Sequence, residues 1–215
     1  MKKLSQIILV LAAFLGSLQL QSQSTNFFAG FNSSTLAFTG DSSAGLNPQA
    51  LSGFHIGTSF NFKINDMLTF QPGLTFERKG FNFETNIPGL FNAKSTFEFY
   101  YLDVPLNLMT EFEINQDLNA YVTAGPYIGL GLFGSVKTEV NSLFSNSSEN
   151  EPLEPGNDFE QLDYGIGLGA GVNYQRFLLG FSYDFGLPNV FFDAPEGNFA
   201  RNRVLRISLG YKLDF

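Results

Sequence analysis

Apolar residues alternate with small or polar residues along most of this chain, in about eight separate runs. A period of two is typical of β-strands whose two faces meet different surroundings. In the last run Leu205, Ile207 and Leu209 share one side, while Arg206 and Ser208 share the other. The predicted strands are Phe27–Phe38, Gly53–Lys63, Met67–Phe83, Phe97–Glu113, Asn119–Lys137, Phe159–Tyr174, Phe177–Leu187 and Arg203–Phe215.

The connections between these runs alternate in length. Short turns are predicted at 64–66, 115–117 and 175–176, and long polar loops at 39–52, 84–96, 138–158 and 188–202. In a meander, this alternation puts every long loop at one end and every tight turn at the other, as in transmembrane barrels. The sequence therefore predicts an all-β fold, an eight-stranded antiparallel up-and-down transmembrane β-barrel with short periplasmic turns and long extracellular loops.

The small residues decide which face of the strands points outward. Gly165, Gly167, Gly169 and Gly171 share one side of the sixth strand, and they would leave the core of a soluble sandwich or lipocalin-like barrel underfilled. They suit the crowded interior of an eight-stranded membrane barrel. Aromatic girdles are expected at strand ends, at Phe54, Phe62, Phe70, Tyr174, Phe177, Phe185 and Phe215. The alternation breaks at Phe81, Phe83 and Phe133, and we expect these parts of strands to project beyond the bilayer.

The N-terminus has the order of a secretory signal: Lys2 and Lys3, an apolar run at 7–15, and small polar residues at 21–24. The run is too short for a spanning anchor helix, which needs roughly 20 apolar residues. We therefore predict a cleaved signal peptide at 1–22 and a barrel domain at 23–215.

Composition excludes several kinds of site. The chain has no cysteine, which rules out disulfides, zinc–thiolate centres and cysteine nucleophiles. Without Lys2 and Lys3 it carries 10 basic and 20 acidic residues, so nucleic acid is not an expected partner.

Charged residues recur on the polar faces of the predicted strands, where they would meet inside the lumen. They are Glu77, Asp103, Asp163, Asp184, Arg206 and Lys212. Paired carboxylates can perform acid–base chemistry, but buried charges must be paired merely to be tolerated. We interpret this set as an ion-pair plug, which a narrow solute channel would lack.

His55 is the single histidine and is close in sequence to Ser52 and Ser59. A His and a Ser at the outer rim would suit a lipid-modifying enzyme of the outer leaflet, which is one alternative function; a narrow solute channel is the other. An ordinary polar rim residue is the favoured interpretation.

Two further sequence patterns are weaker evidence for a functional site. The runs 129–134 and 165–170 match the letters of a dinucleotide-binding glycine motif, but that motif needs a helix after its strand and none is predicted. The predicted loop 141–158 holds Glu149, Glu151, Glu154 and Asp158 without the spacing of a dedicated calcium site. A solvated loop is favoured over loose calcium binding, and no cofactor is predicted.

The chain end alternates in a way that resembles the C-terminal signal by which barrels are handed to the outer-membrane insertion machinery. The residues concerned are Leu209, Tyr211, Leu213 and Phe215. The barrel-assembly machinery is therefore an expected partner, together with outer-membrane lipid.

Several segments resemble the outer-membrane β-barrel family of Bacteroidetes to which the PorT protein belongs. They are Tyr101-Leu102-Asp103-Val104-Pro105-Leu106, Ala124-Gly125-Pro126-Tyr127-Ile128-Gly129, the run 163–172, Tyr183-Asp184-Phe185-Gly186-Leu187-Pro188-Asn189, and Asn202-Arg203-Val204. The resemblance implies an eight-stranded outer-membrane barrel. It does not fix the role, because only a few members are implicated in secretion or gliding machinery. We therefore expect a non-enzymatic barrel with a plugged lumen that acts through surface loops or within an envelope or secretion assembly, with an envelope protein as partner.

Overall fold

The computed structural model describes residues 24–39, 48–87, 91–142, 146–191 and 199–214. The predicted signal peptide, 1–22, and Phe215 lie outside the described residues. The strands are β1 (Ser24–Thr39), β2 (Gln49–Lys63), β3 (Thr69–Ile87), β4 (Phe91–Asn115), β5 (Leu118–Ser142), β6 (Asn146–Leu153), β7 (Leu162–Tyr174), β8 (Phe177–Gly186) and β9 (Phe199–Asp214).

Eight of these strands close into a ring. Each pairs antiparallel with its neighbours in the order β1, β2, β3, β4, β5, β7, β8 and β9, and β9 pairs back onto β1. Closure leaves no unpaired edge around the ring, which is what a lipid environment requires of strands. The predicted eight-stranded antiparallel barrel is confirmed.

β6 is a ninth strand that the sequence did not predict. It pairs only with the part of β5 that continues past the ring, from Gly134 to Asn141. Its sequence is almost entirely polar, so it shows no alternation of apolar residues, and its pairing rests on backbone hydrogen bonds. It occupies much of what was predicted as the loop 138–158.

The short turns are where they were predicted. The Oδ1 atom of Asn65 accepts hydrogen bonds from the backbone N–H groups of Met67 and Leu68, and Asn115 does the same for Asp117 and Leu118. Such contacts let an Asn side chain stand in for a backbone turn. Ser24 pairs with both Asn61 and Asp214, so the first and last described strand residues lie at this same end, which we call the turn end.

At the opposite end, the loop end, the strands are longer than predicted. β3 and β4 stay paired as far as Ile87 and Phe91, so most of the predicted loop 84–96 is strand. Cross-strand contacts support this extension, including stacked Phe81 and Phe97 and an ion pair between Lys94 and Glu84. The predicted start of the sixth strand was also wrong: β7 begins at Leu162, and Phe159 is buried.

The predicted faces are confirmed along the ring. Large apolar residues point outward, as shown by Leu209, Ile166 and Phe177, which are 67%, 52% and 63% exposed. The exposed outward residues are the surface that would contact lipid in a membrane barrel. Phe133 also points outward, after a break in register between Tyr100 and Tyr101. Within the described ranges, no helix has the length and apolar character needed to cross a membrane.

Candidate functional site in the barrel lumen

Six charged side chains meet in the middle of the lumen, and we call them the lumen cluster. They are Glu77, Lys79, Asp103, Asp163, Asp184 and Arg206. They come from five strands, and each lies on the inward face of its strand. Five of the six were predicted from the sequence to meet here.

Arg206 binds two carboxylates on opposite sides. Its Nε and one terminal nitrogen donate to the two carboxylate oxygens of Glu77, at 2.7 and 2.6 Å, and its other terminal nitrogen lies 2.7 Å from Asp184. The contact with Glu77 is bidentate, which matches the planar guanidinium to the carboxylate. Because Arg206 is on β9 and Glu77 on β3, the pair braces the barrel across its interior.

Lys79 is the member of the cluster that sequence analysis missed. Its ammonium group lies 3.2, 2.8 and 2.9 Å from Glu77, Asp103 and Asp163, and the residue is fully buried. The Tyr101 and Tyr127 rings also flank it, with centroids at 4.7 and 5.1 Å. The sequence pattern could have identified Lys79, because it follows Glu77 by two residues and so lies on the same face of the strand.

The remaining oxygens of the cluster are partly satisfied by neutral groups. The Asp163 carboxylate accepts hydrogen bonds from Asn202 and from the Tyr127 hydroxyl, and Glu77 accepts one from Asn32. These contacts are what makes a buried cluster of charges tolerable.

The inward glycines make room for these large side chains. A Cβ on Gly129 would lie 2.2 Å from Oδ1 of Asp103, and one on Gly171 would lie 2.5 Å from the Tyr121 hydroxyl. The glycine-rich face predicted from the sequence is therefore a packing requirement of the lumen.

Two predicted site residues do not join the cluster. Lys212 points inward but lies near the turn end, and within the described part of the chain it forms no ion pair. His55 was predicted at the outer rim with Ser52 or Ser59 and is instead buried in the lumen, 1% exposed, with Nε2 2.8 Å from Ser208 Oγ. The position is set by strand parity, since His55 is on the inward face of β2 opposite Glu77.

An apolar layer that we call the aromatic plug closes the lumen on the loop side of the cluster. It consists of Leu36, Phe81, Phe99, Tyr101, Phe159, Val190 and Ala200, with Phe38, Phe83, Phe97, Leu153 and Phe191 packed against it. Phe159 and Val190 belong to connections between strands that fold back into the barrel mouth, held by backbone bonds from Glu160 to Val190 and from Val190 to Ala200. Water is thereby excluded from the cluster on this side.

On the turn side the cluster faces a cavity of about 140 Å³. Its walls include Asp103, Tyr127, Asp184 and Arg206 near the cluster, and Asn173 and Glu111 near the turns. On the inward face of β4, Asp103 and Met109 are buried, and Asn107 and Glu111 are half-buried. The cavity extends from the lumen cluster towards the turn end.

The remaining sequence motifs do not form sites. Both glycine runs lie inside strands, β5 and β7, and no helix follows either one in the described ranges. In the acidic segment Asp158 and Glu154 close a local turn through a bond of 2.7 Å, and Glu149 and Glu151 lie on β6. Of the residues that the structure describes, no group of three or more His, Cys, Asp or Glu side chains is arranged to hold a metal ion.

Comparisons with solved structures return small outer-membrane proteins at low sequence identity. Neisserial surface protein A is 18% identical over 89% of this chain and 97% of its own, with a TM-score of 0.48. Ail, the attachment invasion locus protein of Yersinia pestis, is 12% identical over 89% and 99%, with a TM-score of 0.36. OprG from Pseudomonas aeruginosa is 14% identical over 91% and 98%, with a TM-score of 0.38.

No protein of curated function matches the chain in sequence. A family profile does match it, over residues 21–191, which takes in most of the barrel and five of the six residues of the lumen cluster. Together with the closed ring of strands, this match shows that the chain belongs to the family of outer membrane protein beta-barrel domains.

Proposed function

We propose that this chain is a non-enzymatic outer-membrane barrel with a sealed lumen, which acts through its loop end as part of an envelope assembly. The observation that carries the proposal is the double closure of the lumen, by the aromatic plug and by the braced charges beneath it. A sealed barrel offers a solute no path, so we infer that the protein acts through its surface.

The loop end offers a built surface. Beyond the ring, the same sheet continues as a four-stranded extension, which we call the outer sheet. It consists of β6 and the segments 83–87, 91–98 and 134–142. β2 stops pairing with β3 at Asn82, and β7 stops pairing with β5 at Leu130. The outer sheet is thus held by its own strand pairs, and its residues Phe83, Phe97 and Leu153 pack against the aromatic plug.

One face of the outer sheet is polar. It carries the ion pairs Lys94–Glu84 and Lys137–Glu139, and in the second pair the side-chain hydrogen bond raises the pKa of Lys137 and lowers the pKa of Glu139. Exposed pairs like these contribute little to stability. Their use is to present a charged, ordered surface to a partner.

Export follows the route that the sequence predicts. The signal peptide 1–22 directs the chain to the periplasm, the barrel-assembly machinery inserts it into outer-membrane lipid, and the turn end then faces the periplasm. The resemblance to the PorT family is the reason for proposing an envelope or secretion assembly, although only a few members of that family are implicated in such machinery.

The alternative of a lipid-modifying enzyme loses its geometric support. His55 faces the lumen, where acyl chains of the outer leaflet do not reach, and its Nδ1 has no hydrogen-bond partner among the described residues. A nucleophile–base pair is normally completed by a third group that orients the base.

The proposal is tested by placing a photoreactive amino acid at Asn150, on the exposed polar face of β6, in cells that make the protein at native level. We expect irradiation to give one discrete adduct that carries a second envelope protein. Gln116, equally exposed but in a turn at the opposite end, is the matched control site. No adduct from Asn150, or the same adduct from Gln116 alone, contradicts the proposal.

A further inference from the structure

Two arginines lie on the outward face of β9, near its loop end. Arg201 and Arg203 are half-buried, whereas Asn202 between them points inward and donates to Asp163 of the lumen cluster. Side chains two residues apart on a strand share a face and leave the backbone about 6.6 Å apart. The two guanidinium groups are therefore presented together on the outside of the barrel.

These two arginines differ from the other cations of the barrel in having no carboxylate partner. Within the described ranges, neither of them forms an ion pair. The chain has 20 acidic residues against 12 basic ones, so carboxylates are not scarce. Every other described cation in the middle of the barrel or at its loop end is ion-paired, namely Arg78, Lys79, Lys94, Lys137 and Arg206.

Most of the hydrogen-bond donors of the pair are also free. One terminal nitrogen of Arg203 donates to the carbonyl oxygens of Gly186 and Asn202, at 2.9 and 2.8 Å, which fixes the direction of its guanidinium group. Nε of Arg201 is buried and has no hydrogen-bond partner among the described residues. The terminal nitrogens of Arg201 and the second terminal nitrogen of Arg203 are the donors left for a ligand.

Aromatic rings hold both guanidinium groups against the barrel wall. The guanidinium carbon of Arg201 lies 4.5 Å from the ring centroid of Phe199, and that of Arg203 lies 5.6 Å from the ring centroid of Phe185. Both rings are themselves exposed on the outward face. Exposed aromatic residues of a membrane barrel collect at the level where hydrocarbon gives way to lipid headgroups.

The outward face of β9 changes character at this level. Towards the turn end it continues with Leu205, Ile207 and Leu209, which are exposed and would contact acyl chains. At Arg203 the apolar residues give way to cations, and Thr35 lies opposite Arg203 on β1. The two arginines thus border the lipid-contacting surface on its loop side, at the depth of the headgroups.

We propose that Arg201 and Arg203 form a binding site for the phosphate group of an outer-leaflet lipid. Their terminal nitrogens donate to the phosphate oxygens, which suit the charge and the planar fork of a guanidinium group. The acyl chains lie along the apolar face below, at Leu205 and Ile207. An acidic protein segment offers a similar charge, but it has no use for the adjoining apolar face.

The site rests on the membrane orientation given in the proposed function, with the loop end outside, and needs no partner at the outer sheet. A lipid that fails to bind therefore leaves the crosslink from Asn150 unaffected. A missing crosslink likewise leaves the lipid site untouched.

Binding is measured by NMR of the folded full barrel in uncharged maltoside micelles, through the Nε–H signals of Arg201 and Arg203. The probe is dihexanoyl phosphatidic acid, a short-chain lipid with one phosphate group, and we expect it to shift both signals saturably. Dihexanoylglycerol has the same chains without the phosphate and should not shift them. Inorganic phosphate should need at least a tenfold higher concentration, because it has no chains to pack on the apolar face.

Two outcomes of this titration would overturn the proposal. The first is the absence of saturable shifts with the phosphatidic acid. The second is equal binding of inorganic phosphate, which would make the pair a general anion site with no preference for a lipid.

A double substitution locates the site. Arg201→Gln combined with Arg203→Gln leaves the lumen cluster intact, and we expect at least tenfold weaker binding, followed through the backbone amide signals of Thr35 and Leu205. Lys63→Gln combined with Arg176→Gln removes the same charge from exposed positions at the turn end and should leave binding unchanged. Heat-modifiable mobility verifies that both variants are folded. Unchanged binding by the first variant, or an equal loss in the second, would contradict the site.

Discussion

Arg206 links three strands of the barrel wall through its side chain. Its guanidinium reaches Glu77 on β3 and Asp184 on β8 from its own place on β9. Removing it would leave two buried carboxylates with fewer cations, which is the costly way to break a buried ion pair.

Arg206→Ala should therefore lower the free energy of unfolding by roughly 3–5 kcal/mol. Equilibrium unfolding in urea with lipid vesicles, followed by loss of heat-modifiable mobility, measures the change. Lys212→Ala is the matched control on the same face of β9, and a cost below about 0.5 kcal/mol is expected for it because it forms no buried pair. Equal effects of the two variants would show that the cluster does not brace the barrel.

Lys79 is tested separately because its ammonium group contacts three carboxylates. Lys79→Met keeps the length of the side chain and removes the charge, and we expect a loss at least as large as that of Arg206→Ala. Lys63→Met, at an exposed position on β2, is the control. If Lys79→Met proves neutral in the same unfolding assay, the carboxylates do not rely on the ammonium group.

At this scale the sequence predicted which residues face the lumen but not which of them pair. Parity along a strand follows from the geometry of the pleat, so Glu77, Asp103 and Arg206 were identifiable without a structure. Their pairing depends on the stagger of strands around the ring, which the alternation does not encode. For the same reason the sequence did not predict that His55 contacts Ser208, which is on β9.

Among the elements, β9 closes the ring and carries the predicted assembly signal. Leu209, Tyr211 and Leu213 all lie on its outward face, and β9 pairs with β1 along its whole length. Until that pairing forms, both strands have open edges. Phe215, the last residue of the predicted signal, lies outside the described residues.

Deleting Phe215 should leave much of the protein unassembled in the periplasm, since the terminal aromatic is expected to present β9 to the insertion machinery. Cell fractionation with a heat-modifiability assay measures the folded fraction. Phe177→Ala truncates another outward aromatic at the turn end and should assemble normally. Wild-type levels of both variants in the outer membrane would remove any special role from the terminal residue.

The elements also show where sequence patterns stop being informative. Alternation predicted all eight ring strands and the three turns, because two unlike environments impose it. It did not predict β6, in which every residue except Leu153 is exposed, or the extension of β3 and β4 into the predicted loop 84–96. Phe159 looked like the start of a strand because it is apolar, and it is instead part of the aromatic plug.

For the molecule as a whole, two closures in series separate its ends. The aromatic plug excludes water at the loop end, and the lumen cluster fills the cross-section below it. About eight strands leave an interior only wide enough for side chains, so the closure follows from strand number as much as from these particular residues.

The most direct test of this account is the conductance of the wild-type protein in planar lipid bilayers. Purified, folded barrel should insert without producing steady ohmic steps, and insertion can be verified by protease protection in vesicles of the same lipid. A heat-unfolded sample serves as the blank. Clear ohmic single-channel steps from the folded protein, absent from the blank, would contradict the sealed lumen.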